Sequence, residues 1–275
     1  MRLHRSIAGG EFVTNVGEPL LHHPGLSGRR VLVTGGSRGI GRATVRSLAI
    51  SGASIGVAYH RAVKAAKEVV EEAYAHAPQG QHWYAEADLS NSDGCSRLFE
   101  RVDKEFGGLD GFVGNAGIWN VQPRPLVALE PEEWAEMLEV NLTSIYLTTR
   151  AATSRMNSGG RVVLVSSTAG QRGEAHHSHY AASKGAIISF CKSIASELGP
   201  ESINVNTVAP GWVETDMAMD ALRGEDRIRA LAQIPLGRIA NAQDIAGPIC
   251  FLLSDAARHI TGEVLNVNGG SVLCG

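Results

Sequence analysis

With 275 residues, 44% of them hydrophobic, the chain is long enough to bury one large core, and its length does not call for two. A net charge of -3 with no Lys/Arg run excludes the basic footprint of a nucleic-acid binder. No apolar run reaches the length of a bilayer span and the first residues hold no apolar signal core, so the chain reads as cytoplasmic, without a membrane partner.

Residues 1–27 mix Gly, His, Pro and polar side chains with no sustained period and are read as an extension outside the core, disordered or packed on a neighbouring subunit. A short apolar strand at 31–33 runs straight into Gly35, Gly39 and Gly41, and the residues through 50 suit a helix that Gly52 closes. A second strand follows at 54–59, a second helix at 62–77 ending before Pro78, and a third strand at 81–87. Asn91 is a fitting N-cap for a helix that runs to Gly107 and Gly108. After a fourth strand at 109–114, Pro131 opens a helix that carries Asn141 toward Met156. A fifth strand at 161–166, a helix at about 178–198 stopped by Gly199 and Pro200, and a sixth strand at 203–208 come next. The segment 211–240 breaks the rhythm. Its Trp212, Met217, Met219, Gly224 and Pro235 read as a mobile lid over a partly hydrophobic substrate, or its apolar residues simply pack on the core. A helix at 242–254 and a strand at 264–267 close the chain. Strands and helices alternating in this way predict an α/β domain over 28–275, one doubly wound parallel sheet with helices on both faces and ligands beyond the C-terminal strand ends.

Cys95, Cys191, Cys250 and Cys274 are scattered without a C-x-x-C pair, as suits reduced thiols rather than a disulfide frame. His176, His177 and His179 lie close together but have no Cys or carboxylate partner at ligand spacing. No metal site is expected, and the three imidazoles read as a polar rim to a site mouth.

The glycine turn carries the first chemistry. Gly35, Ser37, Arg38, Gly39, Ile40 and Gly41 stand between strand and helix in the spacing G-x-x-x-G-x-G, where backbone N–H groups and the helix N-terminus would stabilise a dinucleotide pyrophosphate. In the standard design an acidic residue about 20 positions on binds the adenosine ribose. Here the stretch reads Ala58-Tyr59-His60-Arg61, with no carboxylate. Arg38, His60 and Arg61 instead offer positive charge to a 2′-phosphate, which favours NADP(H) over NAD(H); the alternative is that they are surface cations.

Tyr180 and Lys184 fall one turn apart on a common helix face, which sets an ammonium beside a phenol and would lower the phenol's pKa from its usual value of about 10. Ser167 ends the apolar run 162–165. In order, Thr34-Gly35-Gly36-Ser37-Arg38-Gly39-Ile40-Gly41, Asn115-Ala116-Gly117, Asn141, Ser167, Tyr180-x-x-x-Lys184, Pro210-Gly211 and Thr215 resemble the short-chain dehydrogenase/reductase family over 28–275.

That resemblance implies a Rossmann-type fold and a hydride transfer between nicotinamide and a ketone or secondary alcohol. It gives Tyr180 the proton transfer, Ser167 the polarisation of the substrate oxygen, Lys184 the tuning of the tyrosine and contact with the nicotinamide ribose, and Asn141 a water leading from Lys184 to solvent. Asp88 and Leu89 would flank the adenine, though Asp88 is equally read as a helix-entry cap. Asn115, Ala116 and Gly117 would support the sheet beside the cofactor, and the backbone after Pro210 and Gly211, with Val213 and Thr215, would meet the nicotinamide amide. Asn268 stands where the family often carries Asp, with little chemical consequence expected. Within the family the chain looks most like the 3-oxoacyl-(acyl-carrier-protein) reductases. Ser158 and Glu201 stand where those enzymes use arginines to receive an acidic carrier. A small-molecule or acyl-thioester carbonyl substrate is therefore expected, with a sugar, polyol or steroid dehydrogenase, or a catalytically silent NADP-binding regulator, as alternatives. Apolar stretches at 142–147 and 186–198 cover their own sheet or bury a face against another subunit, in a homotetramer or homodimer as the family forms.

Overall fold

The computed structural model describes residues 22–274. Its strands are Arg30–Thr34 (β1), Ser54–Tyr59 (β2), His82–Glu86 (β3), Leu109–Gly114 (β4), Met156–Val165 (β5), Asn204–Pro210 (β6), Val213–Glu214 (β7), Ala240–Asn241 (β8) and Val264–Val267 (β9). The α-helices are Gly39–Ile50 (α1), Val63–His76 (α2), Ser92–Phe106 (α3), Pro131–Leu138 (α4), Ser144–Thr153 (α5), Thr168–Arg172 (α6), Ser178–Leu198 (α7), Gly224–Ala232 (α8) and Ala242–Leu253 (α9).

Seven strands pair in parallel in the order β3-β2-β1-β4-β5-β6-β9. Alternate side chains along each central strand enter two separate cores. Val31, Val33, Ile55 and Val57 pack with Val45, Leu48, Val69 and Ile249 of α1, α2 and α9. Leu32, Phe112, Val162 and Leu164 pack with Leu98, Phe99, Ile145 and Ile187 of α3, α5 and α7 on the other face. This double burial explains why the strands read as short continuous apolar runs. From β1 the chain winds outward to β2 and β3, then returns to β4 on the other side. The C-terminal ends of β1 and β4 are thus the switch point where a ligand crevice opens.

The local signals act as their chemistry dictates. The Asn91 side chain accepts from the Gly94 amide at 2.9 Å, Gly107 closes α3 in the left-handed region at φ 66°, and Pro131 begins α4. Arg30 grips Asp110 through Nε and Nη2, both at 2.9 Å, fixing the start of β1 against β4.

Four boundaries differ from the sequence expectation. Leu26 is 1% exposed within the core, and the His23 amide donates to Ser51 Oγ at 3.1 Å, so packing begins before residue 28. Residues 1–21, the bulk of the expected extension, lie outside the described residues. β5 starts at Met156, paired with Leu109, but the ladder is irregular until Arg161 meets Gly111, which hides its first half behind polar residues. The helix expected from Pro131 toward Met156 is interrupted by a π-helical turn over Glu139–Thr143 that holds Asn141. Finally, 211–240 has its own small core: Ala218, Leu222, Ala230, Ile234 and Ile239 pack beneath Trp212, and β7 pairs with β8.

Candidate active site

The glycine turn is shaped by contacts that exclude a side chain. A Cβ on Gly41 would lie 2.2 Å from the Gly35 carbonyl oxygen, and Gly35 and Gly39 adopt φ of 63° and 54°. Asn115 closes the turn from the neighbouring strand, its Nδ2 donating to the carbonyls of Thr34 and Gly35 at 3.0 and 3.2 Å. The amides of Asn115 and Ala116 donate to Thr34 Oγ1. Thr215 sits against Gly39, so the start of the 211–240 segment lies directly over the turn beyond Pro210, Gly211 and Val213. With Ser37 buried, Ile40 half-buried and Arg38 exposed as the N-cap of α1, the turn has the open backbone that a dinucleotide pyrophosphate requires.

At the ends of β2 and β3, His60 and Arg61 are exposed, and their charges help hold the Asp88 carboxyl below its ordinary value. The larger cause is hydrogen bonding, since Asp88 Oδ1 accepts from Ser90 Oγ at 2.7 Å and from the Ser90 amide at 3.1 Å. The helix cap is Asn91, not Asp88, and Leu89 is buried beside it.

Tyr180 and Lys184 rise from the first turns of α7. The Ser167 hydroxyl lies beside the Tyr180 phenol, and the Ser167 Oγ accepts from the Ala169 amide at 3.1 Å at the start of α6. Gly170 lets α6 approach closely enough for Ser166 Oγ to donate to the Lys184 carbonyl at 2.7 Å. The buried Lys184 Nζ donates to the Val165 carbonyl at 3.0 Å and lies 5.8 Å from the centre of the Tyr180 ring. Burial pushes its amine down to about 8. Burial also pushes the Tyr180 phenol up, Glu174 adds to that, and the Ser167 hydrogen bond opposes it. The expected lowering by Lys184 is therefore not what the geometry shows: the ammonium lies over the ring and is directed to a carbonyl, and Ser167 is the group that favours the phenolate.

Asn141 is fully buried, and its amide clamps the loop after β4 from both sides. Oδ1 accepts from the Ile118 amide at 2.7 Å, and Nδ2 donates to the Ile118 carbonyl at 2.9 Å. A Cβ on Gly117 would stand 3.0 Å from Asn141 Oδ1 and 3.5 Å from Lys184 Nζ, which brings the three residues together. Nδ2 also donates to Ser183 Oγ at 3.3 Å, so the side chain of Asn141 ties the loop to α7.

Two further readings change. His179 is 1% exposed and kept below its usual pKa by burial, so it is not part of a rim, while the His177 ring stacks 5.3 Å from Trp119. Asn268 donates through Nδ2 to the Val272 carbonyl at 2.8 Å, a bond an ionised Asp cannot make, so its identity has a structural consequence. Trp119 itself was not singled out from the sequence. Its ring lies 6.3 Å from Tyr180 and 5.7 Å from Trp212, and the available signal was its place two residues beyond Asn115-Ala116-Gly117 at the end of β4.

The comparisons with known proteins agree with this geometry. A family model described as Enoyl-(Acyl carrier protein) reductase matches residues 35–271. The chain is 39% identical to the 3-oxoacyl-(acyl-carrier-protein) reductase FabG of Vibrio cholerae, over 89% of this chain and 98% of that protein. It belongs to the short-chain dehydrogenase/reductase family. The Escherichia coli FabG is 37% identical over 88% of this short-chain dehydrogenase/reductase and 97% of its own length. Among solved structures, a Burkholderia cenocepacia short-chain dehydrogenase in complex with NADP aligns with TM-score 0.84 at 34% identity, covering 90% of this chain and 98% of the other. A metagenomic blue fluorescent protein in complex with NADPH aligns with TM-score 0.84 at 33% identity, covering 90% and 99%. The chain is thus an oxidoreductase with the doubly wound fold of its family.

Proposed function

We propose that this oxidoreductase uses NADPH to reduce a ketone, with 3-oxoacyl thioesters as the reference substrate class. The observation that carries the reading is Lys184 Nζ 5.8 Å from the centre of the Tyr180 ring, with Ser167 beside the same phenol. A nicotinamide held over the glycine turn would supply the hydride for the carbonyl carbon. Negative charge then develops on the substrate oxygen, and Ser167 and Tyr180 are the two donors aimed at it. Tyr180 gives up its proton, Ser167 is the group beside the phenolate that remains, and Lys184, cationic below pH about 8, supplies positive charge over the same ring. Asn141 keeps the Gly117–Ile118 backbone in place beside Lys184.

For the cofactor, Arg38, His60 and Arg61 around the glycine turn support NADP(H) over NAD(H), as do the NADP- and NADPH-bound structural relatives. An acyl carrier is less well supported as the partner. Arginines near the site are already ion-paired, Arg124 with Glu133 at 2.9 Å and Arg172 with Glu174 at 2.5 Å. Among the described residues no helix is long and apolar enough to cross a membrane, and all four cysteines are free, which suits the cytoplasm. Self-association through α5 and α7 is the accompanying proposal.

The test is NADPH oxidation with acetoacetyl-coenzyme A. The wild type turns over. Tyr180→Phe binds NADPH with unchanged affinity but loses at least about a hundredfold in kcat, the usual scale of general acid catalysis. Undiminished kcat in that variant would remove Tyr180 from the chemistry.

A further inference from the structure

Trp119 joins Tyr180 to an aromatic cluster with Trp212 and His177. Trp119 stands 6.3 Å from the Tyr180 ring, 5.7 Å from Trp212 at an interplanar angle of 73°, and 5.3 Å from His177 at 38°. These rings come from three separate loops, and each loop is pinned. Asn141 clamps Ile118 immediately before Trp119. The Arg124 amide donates to the His176 carbonyl at 2.8 Å, which ties the Trp119 loop to the turn bearing His177. His176 holds φ at 63°, a left-handed conformation unusual for a residue with a side chain. Trp212 follows Gly211, whose missing Cβ would lie 3.0 Å from the Asn268 side chain, and the Trp212 carbonyl accepts from the Ala240 amide at 3.2 Å. Trp119 and Trp212 are nevertheless only half-buried, so each keeps surface free for contact.

We infer that the substrate carbonyl carries a flat, π-rich group, as an aryl or fused-ring ketone does, laid against Trp119 and Trp212. This rests on the ketoreductase reading above and narrows it. A linear acyl chain would gain only apolar burial on such a wall and would lose the freedom of each of its rotors. A planar ring has no internal rotors to freeze, and in edge or offset contact with each tryptophan it adds a factor of about two to ten per ring pair. Because the wall is fixed by hydrogen bonds before substrate arrives, little of that gain is spent on ordering it.

The experiment compares ethyl 3-oxo-3-phenylpropanoate with ethyl 3-oxononanoate, in which hexyl replaces phenyl, using NADPH and the full chain. The quantity read is the phenyl-to-hexyl ratio of kcat/KM, in wild type and in Trp119→Leu, Trp119→Phe and Trp212→Leu. Taking the ratio between variants cancels the intrinsic reactivity of the two ketones. Trp119→Leu and Trp212→Leu are each expected to lower the ratio about five- to tenfold with NADPH affinity, measured by fluorescence titration, unchanged; Trp119→Phe keeps most of it. An unchanged ratio in both leucine variants overturns the inference. So does wild-type reduction of acetoacetyl-coenzyme A and the hexyl ketone with none of the phenyl ketone, and that result leaves the ketoreductase reading standing. No NADPH oxidation with any of the three removes both.

Discussion

Arg38, His60 and Arg61 are exposed, and a guanidinium at a helix N-terminus loses little by staying in water until a phosphate arrives. Arg38→Ala is therefore expected to raise KM for NADPH about tenfold or more while changing KM for NADH by less than about twofold, the difference being roughly one charge-assisted hydrogen bond. Equal effects on the two cofactors would assign the arginine to the surface. Lys184 gives a pH prediction of definite sign. Burial lowers its amine to about 8, so the cation is present below that pH and lost above it. The ratio kcat/KM for NADPH, which reports the free enzyme, should hold up to about pH 8 and fall above it. A profile flat to pH 10 would separate catalysis from this charge. Single residues were legible in the sequence when their chemistry depends on spacing along one element, as with Tyr180 and Lys184 on α7. The aromatic wall was not, because Trp119, His177 and Trp212 meet only once three distant loops are folded together. The tyrosine's electrostatics were also misjudged, since sequence spacing places Lys184 near the ring without saying that its ammonium turns to the Val165 carbonyl.

The strand-turn-helix unit β1-α1 is specified by contacts rather than by glycine's flexibility alone. Gly41→Ala puts a methyl group 2.2 Å from the Gly35 oxygen, and one end of the turn must move. The cost expected from overpacking is about 1–3 kcal/mol, and the displaced amides would no longer converge on a pyrophosphate. Thermal melts with and without NADPH check this: the wild type gains Tm on addition of the cofactor, and the variant melts lower and gains little. A full cofactor shift in Gly41→Ala would show that the turn tolerates the methyl group. Element order and most boundaries were readable because apolar runs end in Gly, Pro or Asn, as at Asn91, Gly107 and Pro131. The π turn at Glu139–Thr143 was not readable, since one extra residue in a helical turn leaves the apolar pattern on either side almost unchanged. The early start of β5 was hidden for a related reason. Asn157 and Ser158 are exposed and carry no strand-like alternation.

For the molecule as a whole, the doubly wound architecture follows from strands buried on both faces, and the site falls at the switch point between β1 and β4 that this topology creates. The same outer helices leave apolar surface uncovered. Tyr146 on α5 is 47% exposed, and Leu142, Leu147, Phe190 and Ile194 pack only partly against the core. Sedimentation is expected to give a dimer or tetramer of the 29.1 kDa chain, with Tyr146→Glu shifting it toward monomer; a wild-type monomer would assign these side chains to the chain's own surface.

The wide turn that holds Asn141 also works as a phase adjuster between two stretches of regular helix. Removing one residue from 139–143 would let the turn close into an unbroken α-helical ladder, with the flanking segments nearly in phase and the residues of the turn itself displaced. Such a shortened chain would have the more regular helix, yet its carboxamide would swing out of reach of Ile118, and the tryptophan next door would lose its anchor. Local helical regularity and an assembled pocket are thus opposed at this point in the molecule, and the irregularity is what keeps the pocket together.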